Sequence, residues 1–226
     1  MKAESNYQYA DTVIKKLKKK IPRLLNDTRL RLTAFDEINS LFLKKLLEDA
    51  YEEIESQATY AYLNIAERTY REAFDLAKQL GYESGTYNPI WLGIITDWLL
   101  EYDLTTGYMF ENEFKRKRDR LFEQLMGIFI NKKSINDPLT MLIYKKAGKY
   151  ISDQIAEYGD IITYKAMLKA YRDAGVKKVI WFSEHDNRVC NVCLNLSEQE
   201  YDIDDVPAKP HWGCRCWLLP LRTEKS

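Results

Sequence analysis

Histidine and cysteine are absent from the first 184 residues of this 226-residue chain. All four cysteines and both histidines lie in one window, which begins at His185 and ends at Cys216. A secreted disulfide scaffold distributes its cysteines over the whole fold, whereas clustering of this kind favours a metal site. A metal site is therefore expected in the C-terminal part of the chain.

The chain also lacks net charge and long hydrophobic runs. Its 34 Lys and Arg residues balance 34 Asp and Glu residues, so no global positive field attracts nucleic acid or anionic lipid. The apolar stretch from Ile90 to Thr96 is much shorter than the roughly 18 to 20 residues of a membrane span. The N-terminus has no apolar core of a secretory signal. We expect a protein that stays in the cytoplasm and contacts no membrane, with enough hydrophobic residues, 46%, for a packed core.

Helical periodicity extends from residue 7 to residue 175 and is interrupted by typical helix start and stop signals. Thr33 is expected to cap a long helix that ends at Gly81. Asn88-Pro89 and Asp137-Pro138 are expected to begin helices. Asp160 is expected to cap a last helix, which ends at Gly175. Residues 7–175, well over half of the chain, are therefore predicted to consist of helices, among them one that is long and amphipathic.

The periodicity changes after Gly175. Lys178 to Phe182 and Trp217 to Leu219 are rich in β-branched and aromatic residues, which predicts two short strands around the Cys/His cluster. The predicted fold class is mainly α with a small C-terminal α+β module. Because Glu83 to Thr86 interrupts the helical pattern, we predict an extended helical region at 1–86. A helical domain at 87–226 would then end in a metal-binding module at 176–222.

The Cys/His cluster has the spacing of a zinc knuckle. Two residues separate Cys190 from Cys193, so both sulfur atoms can reach one tetrahedral ion from a tight turn. The second half of the cluster adds His211, Cys214 and Cys216, which gives five candidates for four positions. Our first choice omits Cys216, because residues 214 and 216 alternate sides in an extended segment. Cys216 can nevertheless replace His211 or Cys214, and disulfides or buried thiols without a metal are the alternatives.

A zinc ion with four protein ligands is closed to water, which is typical of a structural site. A nucleobase deaminase needs His-x-Glu upstream of its cysteine pair, whereas His185 is followed by Asp186 and Asn187. The sequence also has no His-Glu-x-x-His helix, no Gly-rich phosphate loop and no Gly-x-Ser-x-Gly motif. We therefore predict no catalytic residue and no enzymatic activity.

Two basic runs stand out against the neutral total. Lys15 to Arg31 contains eight Lys or Arg residues against Asp27 alone, and Lys115 to Arg118 is entirely basic. Such runs usually form a solvated helix face. The functional alternative is contact with DNA phosphates or with an acidic partner. No aromatic residues suited to base stacking are interleaved, so base-specific recognition is not expected.

A longer pattern includes the cysteines: a Trp, a short gap, Asp-x-Arg-x-Cys-x-x-Cys, an acidic variable loop, Pro-His-x-x-Cys-Arg-Cys and a closing Pro. This pattern resembles the C-terminal signature of the phage Mu F-type minor head proteins, the phage head morphogenesis proteins. The matching residues are Asp186, Arg188, Cys190, Cys193, His211, Cys214, Arg215 and Cys216. The resemblance is specific from residue 178 to 222 and looser over 110–175. Lys209 and Trp212 depart from prolines that are frequent in the family.

The resemblance implies a minor capsid protein of a tailed phage or prophage that acts in procapsid assembly near the portal, and in DNA packaging or ejection. The implied partners are the portal protein and the major capsid or scaffold protein. The implied location is the capsid interior of the virion, with the host cytoplasm during assembly. Asp186 and Arg188 have a structural interpretation, in which the carboxylate caps backbone amides of the knuckle and the arginine pairs with it.

Two alternatives come from other functional classes. A zinc-stabilised DNA-binding protein would use Lys15 to Arg31 for non-specific phosphate contacts. An enzyme or toxin domain would have to lie within residues 1–105, which contain no His, no Cys and no recognisable catalytic set.

Overall fold

The computed structural model describes residues 2–34, 38–82, 85–88, 110–131, 134–183, 189–210, 214 and 216–222. The elements in these ranges are α1 (Lys2–Leu32), α2 (Ser40–Gln79), α3 (Phe110–Ile130), α4 (Pro138–Asp173), β1 (Lys178–Phe182), α5 (Asn191–Leu196), β2 (Glu200–Asp202) and β3 (Trp217–Pro220). The predicted fold class is confirmed: the chain is mainly helical and ends in a small α+β module. Among the helices of the described ranges, none is both long and apolar enough to cross a membrane.

Several predicted helix boundaries are confirmed by their hydrogen bonds and backbone angles. Asp137 precedes α4 and its Oδ1 accepts a hydrogen bond from the backbone N–H of Leu139 at 2.8 Å. Gly81 and Gly175 follow α2 and α4 with φ angles of 100° and 82°. These left-handed conformations favour glycine, which explains why the two helices end there.

Two predicted helix starts are wrong. The Thr33 hydroxyl donates to the carbonyl of Leu30 at the end of α1, whereas Asn39 caps α2 by accepting a hydrogen bond from the N–H of Leu41 at 2.8 Å. Asp160 lies inside α4, which continues through Gly159. An interior glycine costs about 1 kcal/mol relative to alanine, and the burial of neighbouring apolar side chains offsets this cost. The predicted start at Asn88-Pro89 leads into residues 89–109, outside the described part of the chain.

The long helices contribute to two compact units. One unit comprises Met1–Val13, Tyr62–Trp98 and Glu157–Ser226, and the other comprises Ile14–Ala61 and Leu99–Ala156. Neither unit is continuous in sequence, because α1, α2 and α4 each have one part in each unit. The boundary at residue 86 stays a prediction.

The core of the unit formed by Ile14–Ala61 and Leu99–Ala156 consists of amphipathic helix faces. α1 buries apolar side chains at helical spacing: Ile14, Leu17, Ile21 and Leu25. Gly148 of α4 lies against this stripe, because a Cβ there would stand 3.5 Å from Cδ1 of Leu25 and 3.7 Å from Cα of Pro22. The packing of α1 on α4 in this unit is therefore close.

The sheet belongs to the other unit, and its strand order is β2-β1-β3 with both pairs antiparallel. The two predicted strands are present, and β2 is an additional third strand. One face of β1 and β3 is buried through Val179, Trp181 and Leu218. The Tyr171 hydroxyl of α4 donates to the carbonyl of Leu218 at 3.1 Å, and the Trp181 ring lies 6.0 Å from that of Tyr164. The C-terminal half of α4 thus supports the sheet.

Candidate metal centre

The first half of the cysteine cluster lies on the short helix α5, which follows β1 in the chain. Cys190 caps this helix, because its Sγ accepts a hydrogen bond from the backbone N–H of Cys193 at 3.4 Å. Cys193 lies in the first turn of α5 and is 2% exposed. The Cys-x-x-Cys spacing therefore folds into a tight turn, as the sequence predicted.

The second half lies directly before β3. Cys216 precedes Trp217, the first residue of β3, and Trp217 pairs with Phe182, the last residue of β1. Because β1 leads towards α5 and β3 begins at the same end of the sheet, antiparallel pairing brings the two halves of the cluster together.

Three sulfur atoms form the cluster. The Sγ atoms of Cys193, Cys214 and Cys216 all lie within 4.8 Å of one another, and the three residues are buried. The Sγ atoms of Cys193 and Cys214 are 3.7 Å apart. Ligands at about 2.3 Å from a tetrahedral zinc ion have a sulfur-to-sulfur distance of about 3.8 Å, whereas a disulfide bond measures about 2.05 Å. These three cysteines can therefore hold a metal ion.

The structure changes the ranking of the candidate ligands. Cys216 lies in the cluster, so the expectation that residues 214 and 216 point to opposite sides is wrong. Cys190 is half-buried and does not belong to the group of three. His211 lies outside the described residues, as do Asp186, Arg188 and Arg215. The fourth position remains open to Cys190 and His211.

Electrostatics in the cluster oppose negative charge in the absence of a cation. Burial raises the pKa of the Cys193 thiol to about 12. The pKa of the Cys214 thiol is raised well above its ordinary value, because Cys214 forms a hydrogen bond with Cys216 and is buried. Metal ligands must be thiolates, so a bound cation is the partner that would stabilise three such groups in one buried site.

Lys209 supports the second half of the cluster, and sequence analysis did not identify this role. Its Nζ donates a hydrogen bond to the carbonyl of Cys214 at 2.7 Å and lies 4.5 Å from the ring centroid of Tyr7. The same segment also contacts α4, because the Tyr164 hydroxyl donates a hydrogen bond to the carbonyl of Pro207 at 2.5 Å. The sequence offered one signal for this role, because position 209 is lysine where the family that the chain resembles often has proline.

The first basic run has mostly exposed side chains. Lys18 pairs with Asp153 at 3.5 Å, and Arg29 donates to the Asn136 side chain at 2.8 Å. The exposed members of the run are Lys15, Lys16, Lys19, Lys20, Arg23 and Arg31. These side chains place positive charge along α1.

In the second basic run, Lys117 lies over the ring of Tyr150, 3.5 Å from its centroid. Arg118 pairs with Asp119 at 2.9 Å. Part of this run therefore has contacts within the protein.

Comparison with families of known proteins finds a similarity in the helical part of the chain. Residues 88–174 are similar to the family of AprA winged helix domains. In the described part of this range the chain forms α3 and α4, and no strand occurs there. No curated protein and no solved structure matches the chain.

Proposed function

We propose that the chain is a minor head protein of a tailed phage or prophage that acts near the portal during procapsid assembly. The observation that supports this most strongly is the buried sulfur cluster. It joins Cys193 from the first half of the head-protein signature to Cys214 and Cys216 from the second half. Three of the cysteines that carry the resemblance therefore lie in one buried cluster, which supports the view that the two halves of the signature belong to one module.

Zinc is the metal that we assign to this cluster. Thiolate donors favour zinc among the common divalent ions, and the 3.7 Å distance from Cys193 to Cys214 fits tetrahedral coordination. Cys193, Cys214 and Cys216 would hold the ion together with Cys190 or His211. A site closed by four protein ligands stabilises the fold and supplies no chemistry, which agrees with a non-enzymatic assembly role.

Elemental analysis of protein purified without chelator tests the metal assignment, with one zinc ion per chain expected. X-ray absorption at the zinc edge then identifies the fourth ligand, since four sulfurs indicate Cys190 and three sulfurs with one nitrogen indicate His211. Cys193→Ser should abolish zinc binding, whereas Val192→Ser, an exposed neighbour on α5, should not. Absence of metal from the wild-type protein would contradict the assignment.

The assembly role is tested with purified portal protein. The full chain should bind it in a pull-down at moderate salt, and Cys193→Ser should weaken this binding because the module loses its fold. Cross-linking in cells that produce procapsids should join the chain to the portal, the major capsid or the scaffold protein. Failure of all three contacts would refute the proposal.

A second candidate is a zinc-stabilised DNA-binding protein. The exposed basic residues of α1 and the similarity of residues 88–174 to a winged helix family favour it. Non-specific phosphate binding would weaken steeply as salt concentration rises. Neutralising Lys15, Lys16, Lys19 and Lys20 would then abolish DNA retention. Under the assembly proposal, the activity to measure is binding to the portal protein.

A further inference from the structure

A groove lies between α3 and α4 within the unit formed by Ile14–Ala61 and Leu99–Ala156, and its volume is about 420 Å³. Its apolar lining consists of Leu121, Leu139, Leu142, Ile143, Ala147 and Tyr150. The groove has no part in the cysteine cluster, which belongs to the other unit.

The apolar lining is open to solvent at the first turn of α4. Leu139 is 43% exposed and Leu142 is 44% exposed. Leu139 and Leu142 are three residues apart and therefore share one face of α4, so together they form an exposed apolar surface of the kind that marks interaction sites. The turn is well defined, because Asp137 caps it.

Positive charge surrounds this apolar lining. Lys117, Arg120 and Lys146 also line the groove, and none of the described residues in its lining is acidic. The two helix segments that form it, residues 114–130 and 138–150, contain eight Lys or Arg residues and two Asp or Glu residues. An occupant must therefore combine an apolar face with negative charge.

The dimensions of the groove fit a helix. Its lining on α4 extends from Leu139 to Tyr150, which at a rise of about 1.5 Å per residue spans about 17 Å, or three helical turns. Apolar residues at i, i+3 or i+4, and i+7 of a bound helix would extend over a comparable length.

We propose that this groove binds an acidic amphipathic helix of a partner protein. The apolar face of that helix contacts Leu139, Leu142 and Ile143, and its carboxylates lie near Lys117, Arg120 and Lys146. DNA does not satisfy these requirements, because its charged phosphates form no apolar contacts with the lining of the groove. The proposal does not rest on the assembly role, since it follows from the shape and charge of the groove alone.

A fluorescein-labelled 16-residue peptide with leucines on one helical face and glutamates on the other is the probe. We expect saturable binding to the full-length protein in fluorescence anisotropy, and no saturable binding of a matched peptide in which lysine replaces glutamate. Leu142→Glu and Lys146→Glu should each weaken binding at least about tenfold, which corresponds to about 1.4 kcal/mol. Leu41→Glu and Lys16→Glu are the matched controls, because both residues are exposed outside the groove, and they should bind as wild type.

Three results would overturn the proposal. The first is absence of acidic-peptide binding, or binding that neither groove variant changes. The second is full displacement of the peptide by stoichiometric dodecanoate, which would make the groove a site for small anionic amphiphiles. The third is a concentration-dependent dimer in sedimentation that Leu142→Glu dissociates, which would make the occupant a second copy of this chain.

Discussion

Phe182 and Trp217 are paired across β1 and β3, and their rings stack with centroids 6.2 Å apart and planes 13° apart. Phe182 is the last residue of β1, and Trp217 directly follows Cys216. This stacked pair therefore fixes the position of Cys216, the last cysteine in the second half of the cluster.

The stacked pair should contribute a measurable coupling energy. Urea denaturation of wild type, Phe182→Leu, Trp217→Leu and the double variant, followed by circular dichroism, gives the coupling free energy. We expect about 1 kcal/mol, because aromatic pairs contribute about 0.5 to 1.5 kcal/mol beyond the area they bury. Additive effects of the two substitutions would show that the rings are neighbours without mutual stabilisation.

Lys209 should affect metal affinity without being a ligand. Lys209→Met removes the hydrogen bond to the Cys214 carbonyl, so we expect zinc affinity to fall about tenfold, in the range seen when a ligand loses its supporting partner. Competition with a chromophoric chelator measures this change. Lys177→Met, at an exposed position of the same unit, is the control. Equal affinities of both variants and wild type would show that Lys209 does not position the cluster.

The cap of α2 distinguishes the observed helix start from the one expected from sequence. Asn39→Ala should lower the free energy of unfolding by about 1 kcal/mol, because it removes the oxygen that accepts from the N–H of Leu41. Thr33→Ala should change it by only a few tenths, since exposed Thr33 bonds to the end of α1. Thermal denaturation of the two variants provides the comparison, and a reversed order would place the cap at Thr33.

Local sequence signals predicted the helices well where the chemistry is local. In Asp137-Pro138, the aspartate side chain can cap a helix. The first N–H groups of a helix have no partner within the helix, so proline, which lacks this N–H, is favoured at the first position. α4 begins at this pair. Gly159-Asp160 carries a similar signal inside α4, yet the helix continues. Tertiary burial of Ile155 and Ile162 outweighs a penalty of about 1 kcal/mol, and such burial cannot be read from the local sequence.

The cysteine cluster was predictable in composition but not in detail. The spacing of Cys190 and Cys193 predicted the knuckle turn, because this geometry is set within four residues. Cys216 was among the candidates but was left out of the first-choice set, since the argument from alternation assumed an extended backbone before β3. The strand β2 was also missed, because its sequence Glu-Tyr-Asp is polar and only three residues long. Its pairing with β1 determines its structure more than its own propensity does.

Two glycines should respond in opposite directions to replacement by alanine. A Cβ at Gly85 would lie 2.2 Å from the carbonyl oxygen of Asp173 and 2.3 Å from Cα of Ala174, so Gly85→Ala should lower the free energy of unfolding by about 2 kcal/mol or more. Gly127, in α3, has no such atom within 4 Å, so Gly127→Ala should raise it by about 0.5 to 1 kcal/mol. Urea denaturation measures both, and a neutral Gly85→Ala would contradict the close approach to the end of α4.

Quantitative mass spectrometry of purified phage or procapsid particles, from cells that carry this gene, tests the proposed assembly role most directly. The account predicts that the chain is present in the particles at a small fraction of the major capsid protein. It also predicts that Cys193→Ser reduces this incorporation while Val192→Ser does not. Absence of the wild-type chain from both kinds of particle would contradict the account and place the DNA-binding candidate first.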